Sequence, residues 1–262
     1  MNARAALFDL YGDHLRPRGG AAPIASVIQL MAALDIAAPA VRTAVSRMVR
    51  QGWLTSVDSA HGAAYGLTDR GRRRLDEAAG RIYARVGGED WDGRWSVLVL
   101  APTTERSRRE RLQRGLTYLG YRWLNGQTWV APRRSVEAES VLAAEGVRYD
   151  EFAASYGGQD AALVDRLYDL DGLAAAYRAW LDLARDLVGA AGAEPDQRTA
   201  FAARSRLVHE WRKFLFRDPG LPPALLPARW PGTEAAAYFT AEADRLLPAA
   251  TAFVDCCLPR RS

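Results

Sequence analysis

The chain of 262 residues holds two cysteines, and they are neighbours, Cys256 and Cys257. Adjacent thiols supply neither a disulfide framework nor a four-ligand zinc site, and they suit a reducing cytoplasm. Histidine is nearly as scarce: His14, His61 and His209 fall in three different predicted segments. No GxSxG, P-loop, HExxH or GxGxxG motif occurs, so the commonest hydrolase, nucleotide, metalloprotease and dinucleotide chemistries have no sequence handle. Long apolar runs are missing too. No stretch of about 18 apolar residues appears, and residues 1–10 lack an apolar core followed by a small-residue cleavage site. The expectation is a cytoplasmic protein, neither secreted nor membrane-spanning.

What is present is ordinary globular composition, with 49% hydrophobic, 10% aromatic and 25% charged residues, which excludes disorder and fibrous architectures. The length suits two or three small domains. The net charge of +4 is unevenly spread. Residues 1–87 hold 12 basic and 7 acidic side chains, residues 88–158 hold 10 of each, and residues 159–262 hold 13 and 14. Positive excess confined to one end is the footprint of a nucleic-acid-contacting segment joined to neutral ones.

In the first third, residues 3–10 read as a short helix and Leu15–Gly20 as a turn punctuated by Pro17, Gly19 and Gly20. A second helix is expected over Ile24–Leu34. A third opens at Pro39, whose missing N–H is harmless in a first helical turn, and stops at Gly52. On a helical wheel Val41, Ala44, Val45 and Met48 share one face, and Arg42, Thr43, Ser46, Arg47 and Arg50 share the opposite one, with no acidic residue between them. The apolar face belongs in a core. The polar face is either a solvated basic surface or the side-chain set of a helix lying in a DNA major groove, where Arg reads guanine and Thr or Ser reaches bases or phosphates. A predicted hairpin, Trp53–Val57 and Ala63–Leu67, and a further helix capped by Thr68 favour the second reading. Helix, helix, basic helix, hairpin, helix is the order of a winged helix-turn-helix domain. Arg16 and Arg18 in the preceding turn and His61 at the hairpin tip are further candidate DNA contacts.

The middle third reads as strand (94–101), helix to about Leu119 capped by Thr104, two strands around Asn125-Gly126, a helix capped by Ser135, and a last strand (147–153). This βαββαβ order is that of a ferredoxin-like domain. The last third is helical. Asp171 is the expected cap of a helix ended by Gly189, Pro195 opens the next, and a final helix covers Thr233 to about Leu247. In the middle of these helices Arg204 falls on the apolar face defined by Phe201, Val208, Trp211 and Leu215, with Arg212 at its edge. An arginine aimed into an apolar face needs an anion: a local carboxylate such as Asp182 or Asp186, or a ligand phosphate or carboxylate.

Three stretches resemble the PaaX family of phenylacetate-degradation repressors. They are Phe8–Gly20 with Val41–Val49 and Gly52-Trp53-Leu54; Leu67–Gly71; and His209–Pro219 with Leu221–Pro227 and Trp230-Pro231-Gly232. The resemblance implies an α+β protein with an N-terminal winged helix-turn-helix domain (1–87), a central ferredoxin-like dimerisation or coupling domain (88–158) and a C-terminal helical effector-sensing domain (159–262). It implies a homodimeric repressor of an aromatic-acid catabolic operon that binds double-stranded DNA and is released by an aryl-CoA thioester such as phenylacetyl-CoA. Arg204 and Arg212 with Trp211 and Trp180 are the residues chemically suited to that effector. No metal, catalytic residue or resident cofactor is expected. The central domain also resembles small CRISPR-adaptation endonucleases, yet its first strand ends Val97-Leu98-Val99-Leu100-Ala101-Pro102, without their metal-binding carboxylate. The competing readings are a metal-dependent nuclease or CoA-thioester hydrolase, and a DNA-binding adaptor without a ligand.

Overall fold

A computed structural model of the chain describes residues 1–82 and 90–259. The boundary expected at Gly87-Gly88 lies outside the described residues. Helices and two antiparallel sheets make an α+β fold. Contacts group the chain into two units, 1–84 with 179–213 and 235–262, and 85–178 with 214–234. These do not coincide with the three segments anticipated from the sequence, because residues of the last third join both.

The first unit begins with α1 (Ala3–Asp9), capped by the Asn2 side chain. Where a stop was expected near Tyr11-Gly12, the chain continues as a π-helical turn, Leu10–Leu15, and a 3-10 turn, Arg16–Arg18. Gly19 and Gly20 then adopt positive φ (92° and 75°), which a side chain would oppose. A three-residue strand β1 (Ala21–Pro23) follows, too short to show in the pattern. The helices α2 (Ile24–Ala32) and α3 (Ala38–Arg50) follow, then the hairpin β2 (Leu54–Val57) and β3 (Ala64–Leu67), and α4 (Asp69–Ile82). The sheet order is β1-β3-β2, with Ala21 opposite Gly66 and Leu54 opposite Leu67.

Leu7, Leu10, Tyr11, Leu30, Met31, Val41, Met48 and Leu54 are fully or almost fully buried, together with Phe201 and Val254 from the end of the chain. Side chains of this kind each contribute about 1.5–3 kcal/mol on burial. Tyr11 donates its hydroxyl proton to the Tyr65 carbonyl at 3.0 Å, and burial raises its pKa well above the usual phenol range. Core formation between residues so distant in sequence is the physical reason that the last third does not stand as one separate body.

The second unit is built on β4 (Trp95–Leu100), α5 (Arg106–Tyr118), β5 (Arg122–Asn125), β6 (Thr128–Ala131), α6 (Val136–Ala144) and β7 (Tyr149–Ala154). Its sheet order is β5-β6-β4-β7, antiparallel throughout, with Ser96 opposite Ala131 and Val97 opposite Phe152. Leu98 and Leu100 pack with Leu112, Leu116 and Leu142 of the two helices. Trp95 and Val97 pack with Leu163 and Val164 of α7 (Asp160–Leu167) and with Leu221 and Leu225.

Several helix ends depart from expectation. Helix α5 starts after Glu105, not at a Thr104 cap, and Ser135 precedes α6 without a capping side-chain bond. Helix α8 (Leu170–Ala191) is held by Asp169, whose Oδ1 accepts from Gly172 N at 2.8 Å, in place of the expected Asp171. It passes through Gly189 and stops at Gly192, at φ 82°. Helix α9 (Gln197–Trp211) is capped by Asp196, and α10 (Pro231–Cys257) continues through Pro248, ten residues beyond the expected end at Leu247.

Candidate nucleic-acid interface

Helix α3 divides as its periodicity predicts. Val41, Ala44, Val45 and Met48 are buried, and Arg42, Thr43, Ser46, Arg47 and Arg50 are exposed. Pro39 sits in the first turn, where no intrahelical bond is lost. Thr43 donates its hydroxyl proton to the Pro39 carbonyl at 2.9 Å. The side chains of Arg42, Arg47 and Arg50 have no hydrogen-bond or ion-pair partner within the described residues. Three cationic forks on one unobstructed face can engage base edges bidentately or neutralise phosphates.

Around this face the architecture is tightly stitched. Thr68 accepts from Gly71 N at 3.1 Å and donates to the Gly52 carbonyl at 2.7 Å, joining the start of α4 to the end of α3. A Cβ on Gly71 would lie 2.5 Å from the Trp53 carbonyl oxygen, so this close approach needs glycine. Arg70 covers the Trp53 ring at 4.6 Å, and Arg72 donates to the Gly19 carbonyl at 3.0 Å.

The other candidate DNA contacts are placed differently. Arg16 pairs with Asp76 at 2.8 Å, and Arg18 pairs with Asp255 at 2.7 Å while donating to the His14 carbonyl. Both guanidiniums fasten the turn after the π-helical segment to its surroundings. His61 is exposed at the hairpin tip.

The four candidate effector residues lie among buried groups of the first unit. Arg204 is 3% exposed. Its Nε and Nη2 donate to the two oxygens of Asp13 at 2.9 and 2.8 Å, and its Nη1 donates to the Ala243 carbonyl. Arg212 pairs with Asp9 at 2.5 Å, and His209 Nδ1 meets the other Asp9 oxygen at 2.7 Å. The local carboxylates anticipated as partners, Asp182 and Asp186, are exposed, with Asp182 paired to Arg185. Trp211 stacks on Phe239 at 4.8 Å, meets Trp180 edge-on, and donates its indole N–H to the Ile82 carbonyl. Sequence reasoning missed Asp9 and Asp13, since nothing local links them to partners about 190 to 200 residues later. Ser205, one helical turn before His209, is buried, and its hydroxyl has no hydrogen-bond partner among the described residues.

His14, in the π-helical turn, is buried beside Asp13 and its pKa is pushed down to about 4, chiefly by burial, with Asp13 opposing and Arg204 and Arg18 reinforcing the shift. In the second unit, Trp95 donates to Asp160 at 2.8 Å, while Trp123 is 57% exposed. Among the described residues no group of three or more His, Cys, Asp or Glu is placed to hold a metal ion, and no helix is long and apolar enough to cross a membrane.

Three family models match the chain in order: PaaX-like protein over residues 2–71, PaaX protein central Cas2-like domain over 88–162, and PaaX-like protein C-terminal domain over 168–256. The transcriptional repressor PaaX of Escherichia coli strain K12 is 29% identical over 97% of this chain and 83% of its own length. A solved structure, the uncharacterized protein Rv0674 from Mycobacterium tuberculosis, aligns with a TM-score of 0.63 and 26% identity, covering 96% of this chain and 98% of that one. With the exposed basic helix, these matches place the chain among transcriptional repressors. It belongs to the PaaX family.

Proposed function

We propose that the chain is a homodimeric, sequence-specific DNA-binding repressor of an aromatic-acid catabolic operon of the phenylacetate type, released by an aryl-CoA thioester such as phenylacetyl-CoA. The observation that carries the reading is the exposed face of α3, where Arg42, Arg47 and Arg50 stand without partners among the described residues, beside Thr43 and Ser46. The order of three helices, hairpin and helix supports a winged helix-turn-helix domain with α3 as its recognition helix. Arg16, Arg18 and His61 are secondary DNA contacts in this reading, with Arg16 and Arg18 acting mainly to set the turn. The antiparallel order β5-β6-β4-β7 supports a ferredoxin-like central domain. Two recognition helices related by a dimer axis would read an imperfect inverted repeat, with half-sites spaced by whole helical turns.

The effector need only bind one arrangement of the repressor better than the other to release it from DNA. Arg204, Arg212, Trp211 and Trp180 serve that step from the core of the first unit, where Asp13 and Asp9 already neutralise the arginines. Their part is then to carry the change rather than to bind thioester phosphates. DNase footprinting upstream of the neighbouring genes, with and without phenylacetyl-CoA, tests the proposal. An inverted repeat protected by the protein and exposed again by the thioester is expected. No protected site would overturn the DNA reading, and protection indifferent to aryl-CoAs would favour a ligand-free adaptor.

A further inference from the structure

In the second unit a groove of about 820 Å³ is lined by Glu110, Gln113, Arg114, Thr117 and Tyr118 of α5 and by Phe216. Its size falls within the roughly 300–1,000 Å³ of small-molecule sites. Phe216 is 65% exposed, whereas Phe214, two residues earlier, is buried with its ring stacked 4.0 Å from that of Tyr177. The Phe216 and Tyr118 rings stand 5.7 Å apart at 41°, and the exposed Phe216 ring presents an aromatic surface to the groove. Phenyl rings favour tilted and offset neighbours at this spacing, so a further ring can join them.

The groove holds one acidic and one basic side chain, Glu110 and Arg114. Along α5, Arg106 pairs with Glu110, Arg108 with Glu105, and Arg111 with Glu145. Arg114 has no carboxylate partner among the described residues; its Nε donates only to the Glu110 carbonyl at 3.2 Å. Glu110 is already engaged by Arg106 at 2.8 Å, which leaves Arg114 as the cation of the groove with charge to offer. Gln113 and Thr117 add hydrogen-bonding groups along the same exposed side of the helix.

We propose that this groove binds a small molecule carrying an aromatic ring and an anionic group, the ring against Phe216 and Tyr118 and the anion on Arg114. The inference rests on the effector reading above and gives that effector a place. Full-length protein titrated calorimetrically with phenylacetyl-CoA, phenylacetate and CoA tests it, alongside Arg114→Ala, Phe216→Ala and the control Arg109→Ala. All three positions are exposed, so the fold should tolerate them. Loss of one stacking or charge-assisted contact predicts about tenfold weaker binding in Arg114→Ala and Phe216→Ala, with Arg109→Ala unchanged. Wild-type affinity in both groove variants overturns the site and leaves the effector reading standing. Phenylacetate bound alone and weakened by both variants supports the site and overturns the thioester. No binding of any probe overturns both, and variants that lose DNA affinity but keep ligand affinity overturn the site.

Discussion

Arg204 and Asp13, 191 residues apart in the chain, meet through two near-parallel hydrogen bonds with both side chains almost wholly buried. Such a pair makes the turn after α1 dependent on α9. Replacing buried ion pairs by apolar side chains is often harmless, whereas removing one partner strands the other charge. Arg204→Ala is therefore expected to cost about 3–5 kcal/mol in urea unfolding, and Arg204→Met with Asp13→Leu to recover most of that loss. Equal losses in the single and double variants would show that the pair contributes packing alone.

A second prediction concerns acid. His14 binds its proton at about pH 4 in the folded chain, against 6.5 for the free side chain. Between those values the unfolded chain takes up the proton and the folded chain does not. Stability from this residue is thus complete above pH 6.5 and falls as pH drops toward 4, by about 1.4 kcal/mol per unit and about 3 kcal/mol in all. In urea unfolding between pH 7 and pH 4.5, wild type should lose about 2–3 kcal/mol more stability than His14→Leu. Parallel profiles would remove His14 from the explanation.

Gly71→Ala is expected to destabilise the first unit by roughly 1–3 kcal/mol, as overpacking does. The added methyl would meet the Trp53 carbonyl at 2.5 Å, and a backbone atom between α3 and β2 has little room to yield. A thermal midpoint equal to that of wild type would mean that the hairpin shifts freely.

Much of this was legible in the sequence where a local signal exists. The faces of α3, the Thr68 cap and the Asn125-Gly126 hairpin all follow from periodicity and turn chemistry. The misplaced helix ends have local causes too. Asp169 and Asp171 are equally good caps on paper, and only the backbone decides which meets Gly172 N. A mid-helix glycine costs about 1 kcal/mol, which the buried face of α8 outweighs at Gly189. Pro248 is carried inside α10 by flanking buried residues, Leu246 and Ala250. The partners of Arg204 and Arg212 were beyond reach because wheel positions show that a charge faces inward, not which distant carboxylate it meets. The groove at Phe216 was hidden for the same reason, since its lining comes from segments about a hundred residues apart.

The most direct measurement is a fluorescence-anisotropy titration of footprinted operator DNA, over a range of salt, with wild type, Arg42→Ala and Arg47→Ala. Contacts to base edges predict roughly 5- to 150-fold weaker operator binding with relaxed base preference, and contacts to phosphate predict a uniform loss with a shallower salt slope. Operator affinity and salt slope unchanged in both variants would contradict the assignment of α3 as the DNA-reading face.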